Sequence, residues 1–201
     1  YGQADNAPTV VDIPHNWDDY YGYRQLTHGN LHGTAMYEKI FMLDNSQFPI
    51  SDSSFGKRYF LRFEGVGTYA TVTLNGKDFG RHPVGRTTLT LDVTEALKPG
   101  ENRLVVKAEH PEMIADMPWV CGGCSSEWGF SEGSQPLGIF RPVVLEATDA
   151  IRSEPFGVHI WNDDKAGTVF VETGVKNYGK TAETVGVVNK FRDADGKQVF
   201  R

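Results

Sequence analysis

Apolar and polar residues alternate with a period of two along most of the chain, and that pattern predicts strands rather than helices. Between Arg58 and Glu64, Tyr59, Leu61 and Phe63 fall on one face, against Arg62 and Glu64 on the other. From Tyr69 to Leu74, Ala70, Val72 and Leu74 point inward while Thr71 and Thr73 point outward. The same reading puts Leu89, Leu91 and Val93 on one face of residues 88–93, and Leu104, Val106 and Ala108 on one face of 103–109. Further strands are predicted at 37–43, 78–81 and 139–147. Asn75-Gly76 predicts a two-residue hairpin, because a type I′ turn needs positive φ at both central positions. Only Thr94 to Lys98 reads as a helical turn, stopped by Pro99-Gly100.

Short strands separated by Gly, Pro, Asn and Asp predict an all-β, two-sheet sandwich of jelly-roll kind. From Ile151 the rhythm resets. Strands are predicted at 156–161, 168–176, 184–191 and from Gln198 onward, with turns at Asn162-Asp163-Asp164, at Asn177-Tyr178-Gly179 and between Asp193 and Gly196. This second set predicts the opening of an immunoglobulin-like sandwich, with too few strands to close one. The expected domains are 1–148 and 149–201. Because Arg201 stands inside a predicted strand, the sequence is expected to be truncated there.

Charge and composition narrow the function. The net charge is -6, and Lys and Arg are scattered without a basic run, which argues against a nucleic-acid partner. No apolar stretch approaches the ~20 residues of a membrane span, so no membrane insertion is expected. Tyr1 to Asn6 is polar rather than signal-like, as is expected of a trimmed or processed start. Phosphate loops, dinucleotide fingerprints, zinc-protease helices and nucleophile elbows are all missing from the sequence, so no cofactor is expected.

The stretch between His110 and Gly138 lacks regular pattern and far exceeds the ~12–15 residues usual for an unstructured connection. It carries Trp119, Trp128 and Phe130 together with Asp116, Glu127 and Glu132. Aromatic faces stack on sugar rings and carboxylates accept hydrogen bonds from vicinal hydroxyls, which makes the stretch, with Trp119 and Trp128, a candidate for sugar contact. A self-packed loop with solvated acids is the plainer alternative. Cys121 and Cys124 are the only cysteines. Two thiolates do not fill a tetrahedral zinc site, so no metal site is assigned; a small-loop disulfide is the first reading if the protein is exported, with free thiols and then metal binding as the alternatives.

Five segments in order resemble glycoside hydrolase family 2, the group of β-galactosidases, β-glucuronidases and β-mannosidases. They are Val11-Asp-Ile-Pro-His-Asn-Trp17, Arg58 to Val66, Ala70 to Lys77 with Gly80-Arg-His82, Asp92-Val-Thr94 with Leu97 to Asn102, and Gly138-Ile-Phe-Arg141 with Val143 to Leu145. The resemblance implies a sugar-binding-type jelly roll, an immunoglobulin-like domain and a following (β/α)8 barrel that holds both catalytic glutamates. No catalytic residue is therefore assigned in this segment. It also implies that the loop before Gly138 lends an acid to the barrel's sugar pocket, with Glu132 near that position and Asp116 as the other candidate. The expected function is the non-catalytic N-terminal region of a β-glycosidase, exported to the periplasm or beyond the cell, with carbohydrate as partner. An autonomous carbohydrate-binding module and a structural or dimerisation domain are the alternatives, and the oligomeric state is open.

Overall fold

The computed structural model describes residues 7–18, 32–44, 46, 57–85, 87–111 and 136–200. Every regular element among them is a strand: β1 (Gly33–Leu43), β2 (Arg58–Phe63), β3 (Val66–Leu74), β4 (Lys77–Gly85), β5 (Leu89–Asp92), β6 (Gly100–His110), β7 (Val143–Thr148), β8 (Ile151–Asp163), β9 (Thr168–Asn177), β10 (Phe191–Arg192) and β11 (Gln198–Phe200). No helix among the described residues is long and apolar enough to cross a membrane. Two compact units result. One comprises the N-terminal stretch and residues 59–147, and the other comprises Lys57, Arg58 and residues 148–200.

The first unit holds two antiparallel sheets, in the orders β1-β6-β3-β4 and β5-β2-β7. Their inner faces share one core. Tyr37, Val72, Leu74, Val106 and Ala108 come from the first sheet and Tyr59, Leu61, Phe63 and Leu91 from the second. Apart from Tyr37, for which only a strand is predicted, those are the inward rows that alternation predicts. It does not predict Phe60, which points away from that row and is nevertheless only 2% exposed. At β7 the strand begins four residues later than expected, because Ile139 to Pro142 run without ladder pairing after a single bridge between Gly67 and Gly138.

The hairpin between β3 and β4 turns at Asn75 (φ 51°) and Gly76 (φ 85°), the left-handed pair that a type I′ turn requires. Asn75 also joins β6 to the turn before it: its Oδ1 accepts from Arg103 N at 2.9 Å, and its Nδ2 donates to Ala96 O and to Asn102 Oδ1. Asn102, fully buried, donates to the carbonyls of Lys98 (2.7 Å) and Gly100 (3.0 Å) and accepts from Lys98 N. The expected helical turn is a single one, with Leu97 N bonding back to Val93 O at 3.1 Å and Asp92 capping Thr94. Asn102→Ala leaves the Lys98 and Gly100 carbonyls and the Lys98 N–H without their Asn102 partner and takes one of the two acceptors of the Asn75 amide, so it should cost about 2 kcal/mol in a urea unfolding experiment. An unchanged midpoint would show that water replaces the network.

On the outer face of the first sheet the charges are matched locally. Arg81 lies 3.5 Å above the Tyr69 ring and 3.2 Å from Glu109, which also takes Lys107 at 3.0 Å. Arg103 and Glu38 pair at 2.7 Å across β6 and β1. On β2, Arg62 sits between Glu64 and Glu146.

The second unit consists of two hairpins, β8–β9 and β10–β11. The strand expected at 184–191 is corrected: only Phe191 is in a strand, and Thr184 to Lys190 carry no ladder bonds. Alternation at Val185 and Val187 gives that segment a strand's side-chain pattern. A strand also needs a neighbour for its N–H and C=O groups, and among the described residues it has none.

Candidate functional site

The predicted sugar-proximal residues Asp116, Glu132, Trp119 and Trp128, and the cysteines Cys121 and Cys124, lie outside the described residues. What the fold defines is the base from which that segment leaves and to which it returns. β6 alternates inward through Asn102, Leu104, Val106 and Ala108, and the next inward position is His110. The core row therefore ends on an imidazole that is 3% exposed, directly before the long connection.

His110 Nδ1 lies 2.8 Å from Thr68 Oγ1, and the ring stacks on His32 at 5.4 Å with 6° between planes. His32 Nδ1 in turn lies 3.2 Å from Pro111 O. Burial, with the neighbouring His32 charge adding, lowers the His110 pKa to about 4, so the ring is neutral at ordinary pH.

The returning end is held one residue away. Gly67, next to Thr68, donates its N–H to Gly138 O at 3.0 Å. Leu137 and Ile139 bond to the N-terminal segment: His15 N reaches Ile139 O at 2.7 Å, Trp17 N reaches Leu137 O at 3.3 Å, and Asn16 Oδ1 accepts from Leu137 N at 3.2 Å. Approach here is too close for side chains. A Cβ on Gly67 would sit 1.9 Å from Pro136 O. One on Gly138, whose φ is +93°, would sit 2.2 Å from the Tyr37 hydroxyl. That hydroxyl is engaged by His15 Nδ1 at 2.8 Å. The Gly67-Thr68 dipeptide thus ties both ends of the connection, 110–111 and 136–138, to one point on the sandwich rim.

Trp17 packs into the same place, 8% exposed, with its Nε1–H buried and without an acceptor among the described residues. Among the described residues, no three His, Cys, Asp or Glu side chains come together as a metal ligand set. The sequence reading passed over His110 and Thr68. Extending the alternation of β6 by one step would have found His110, whereas Thr68 is recognisable only from the fold.

Known proteins resemble this chain in sequence and in fold. Residues 29–117 match the family model described as glycosyl hydrolase 2 galactose-binding domain-like. A β-galactosidase of Bacteroides ovatus is 28% identical over 98% of this chain and 22% of its own length. A β-glucuronidase of Bacteroides fragilis is 33% identical over 69% of this chain and 18% of its own length. The solved structure of a β-glucuronidase from glycoside hydrolase family 2 shares the fold with a TM-score of 0.64 at 24% identity, over 94% of this chain and 21% of that one. The chain therefore spans about a fifth of the length of these relatives. With the galactose-binding-like domain matched in sequence over residues 29–117 and the all-β fold matched in structure, the chain carries the galactose-binding-like domain of glycoside hydrolase family 2.

Proposed function

We propose that this chain is the non-catalytic front of an exported β-glycosidase of β-galactosidase or β-glucuronidase type, and that its long connection lends a carboxylate to the sugar pocket of a catalytic barrel. The observation that carries the reading is the rim anchor. Both ends of the 112–135 segment are fixed at Gly67-Thr68, by Gly67 N–Gly138 O and Thr68–His110. A segment fixed at its base can present a side chain reproducibly, which is what sugar positioning demands. Glu132 is the first candidate for that side chain and Asp116 the second, with Trp119 and Trp128 as ring platforms. The second unit, residues 148–201, is the start of an immunoglobulin-like sandwich in this reading, and the partner is carbohydrate.

The test compares the 201-residue chain with the intact enzyme on nitrophenyl β-galactoside and β-glucuronide. The chain alone should turn over neither, because glycoside cleavage needs an acid and a nucleophile or base ~5–9.5 Å apart, and the family resemblance places both on the barrel. In the intact enzyme, Glu132→Gln or Asp116→Asn should lower kcat/KM by roughly 10- to 100-fold, the loss of one charge-assisted hydrogen bond. Wild-type kinetics in both variants would remove the loop from the sugar site. Turnover by the repurified chain would overturn the non-catalytic assignment.

A further inference from the structure

The β8–β9 hairpin has two unlike faces. Its register pairs Val158 with Thr173, Ile160 with Val171 and Asn162 with Val169, which makes one face largely aliphatic. On the other face His159 stands opposite Glu172, and Trp161 opposite Phe170. The Trp161 and Phe170 rings stack at 5.4 Å with 11° between planes, yet the residues remain 49% and 43% exposed. Among the described residues neither His159 nor Glu172 has a hydrogen-bond or ion-pair partner, in contrast to the carboxylates of Glu38, Glu64, Glu109 and Glu146 on the first unit.

We propose that this aromatic face is a binding platform for a neutral, β-linked oligosaccharide, separate from the site at the 112–135 segment. A second sheet packing on this hairpin would take the aliphatic face, since that is the side with the branched side chains a sandwich core uses. The aromatic face is then left to solvent with two large rings on it, an arrangement that marks a recognition surface rather than a core. Its chemistry selects a sugar. The rings offer flat apolar surface to pyranose C–H groups. Glu172 supplies two acceptor oxygens for vicinal hydroxyls, and the Trp161 N–H and the His159 ring add hydrogen-bonding atoms at the edge.

Successive rungs on one face of a strand lie ~6.6–6.8 Å apart, so a pyranose over the aromatic rung has the polar rung within reach of its neighbouring hydroxyls or the next ring. Charge sharpens the choice. At the end of the face that carries the aromatic rung, Glu172, Asp163 and Asp164 outweigh Lys165, while the Arg152 and Lys176 pair lies two rungs beyond Glu172, so a chain seated over the rings meets net negative charge and uronates are disfavoured there. The carbohydrate reading above enters only through the choice of probe.

The protein is titrated with β-1,4-galactotetraose while the Trp161 indole N–H resonance is followed, and a uronate-containing β-linked tetrasaccharide serves as comparison. A shift saturating in the millimolar range is expected, with weaker binding of the acidic probe. Trp161→Ala should weaken affinity roughly tenfold and Phe170→Leu less, consistent with the loss of one aromatic contact. Glu172→Gln should weaken it severalfold, with the unfolding midpoints of the variants unchanged. If Trp161→Ala fails to fold, Phe170→Leu and Glu172→Gln decide.

An unmoved Trp161 resonance at saturating tetraose, or equal affinity in wild type and the folded variants, overturns the platform. So does sedimentation showing that Trp161→Ala dissolves a dimer, which would assign the face to a second copy of the chain. Loss of this binding with hydrolysis by the intact enzyme preserved sinks the platform alone. Binding without hydrolysis leaves the platform and sinks the enzymatic reading.

Discussion

Gly67→Ala should destabilise the first unit by roughly 4 kcal/mol, among the largest effects available to a single methyl group in this protein. The new Cβ would stand 1.9 Å from Pro136 O and 3.1 Å from Pro136 C, and both are backbone atoms that no rotamer change can remove. Relief requires moving either β3 or the 136–139 segment, and that segment is tied to His15, Asn16 and Trp17 by the bonds described above. Two comparisons make the result interpretable. Gly138→Ala adds a clash with the Tyr37 hydroxyl to an unfavourable positive φ and should cost a comparable amount. Gly186→Ala meets nothing within 4 Å and should stay within about 0.5 kcal/mol of wild type. Urea unfolding followed by intrinsic fluorescence reads all three. If Gly67→Ala falls within about 1 kcal/mol of wild type, the rim is more yielding than its geometry says.

Acid should weaken the same rim through His110. In the unfolded chain this imidazole takes up its proton near pH 6.5, and in the fold only at about pH 4. Between those values the unfolded state holds more protons, so stability is complete above pH 6.5 and is lost as the pH falls toward 4. The loss should reach about 2–3 kcal/mol by pH 4.5, following from about 1.4 kcal/mol per unit of displacement. The groups around the ring are His32, stacked on it, and Thr68, with Glu109 one position back on the opposite face of β6. Glu109, Glu38 and Asp44 have carboxyl pKa values held below their ordinary ones, so their contributions are lost at lower pH and leave the window from 6.5 to 4.5 to the histidine. The check is the slope of unfolding free energy against pH in wild type and in His110→Gln. The variant should be flatter across that window. Parallel slopes would move the acid sensitivity to another group.

How far the fold was legible depended on whether a residue's fate is decided locally. The inward rows of β2, β3 and β6 follow from alternation, because one sheet face must be buried wherever a sandwich forms. The Asn75-Gly76 turn was equally legible, since few residue pairs tolerate positive φ twice in succession. Phe60 was not, because nothing in the sequence says that the second face of β2 is covered as well. Val185 and Val187 misled for the converse reason: their spacing suits a strand, and a strand exists only if another lies beside it. The long connection before Gly138-Ile-Phe-Arg141 was legible as a break between strands, and the candidate residues in it lie outside the described ones. Its anchoring was not, since the approach of Gly67 to Pro136 joins residues far apart in sequence. Trp161 and Phe170 sat in predicted strands, but only the register sets one opposite the other.

The closure at Gly67-Thr68 has a consequence for how such a protein can change. Because the departing and returning chains meet at one dipeptide, the sandwich experiences the intervening segment chiefly as a closed ring. The entropy of closing a flexible ring grows only with the logarithm of its length, ~0.6 kcal/mol for each doubling. Inserting residues between 112 and 135, deleting them, or exchanging them for another sequence should therefore tax the fold lightly, provided the two glycines and His110 are kept. The rim is thus a socket. The segment it holds can be rewritten while the strands beneath retain their register, which separates the residues free to diversify from those that cannot.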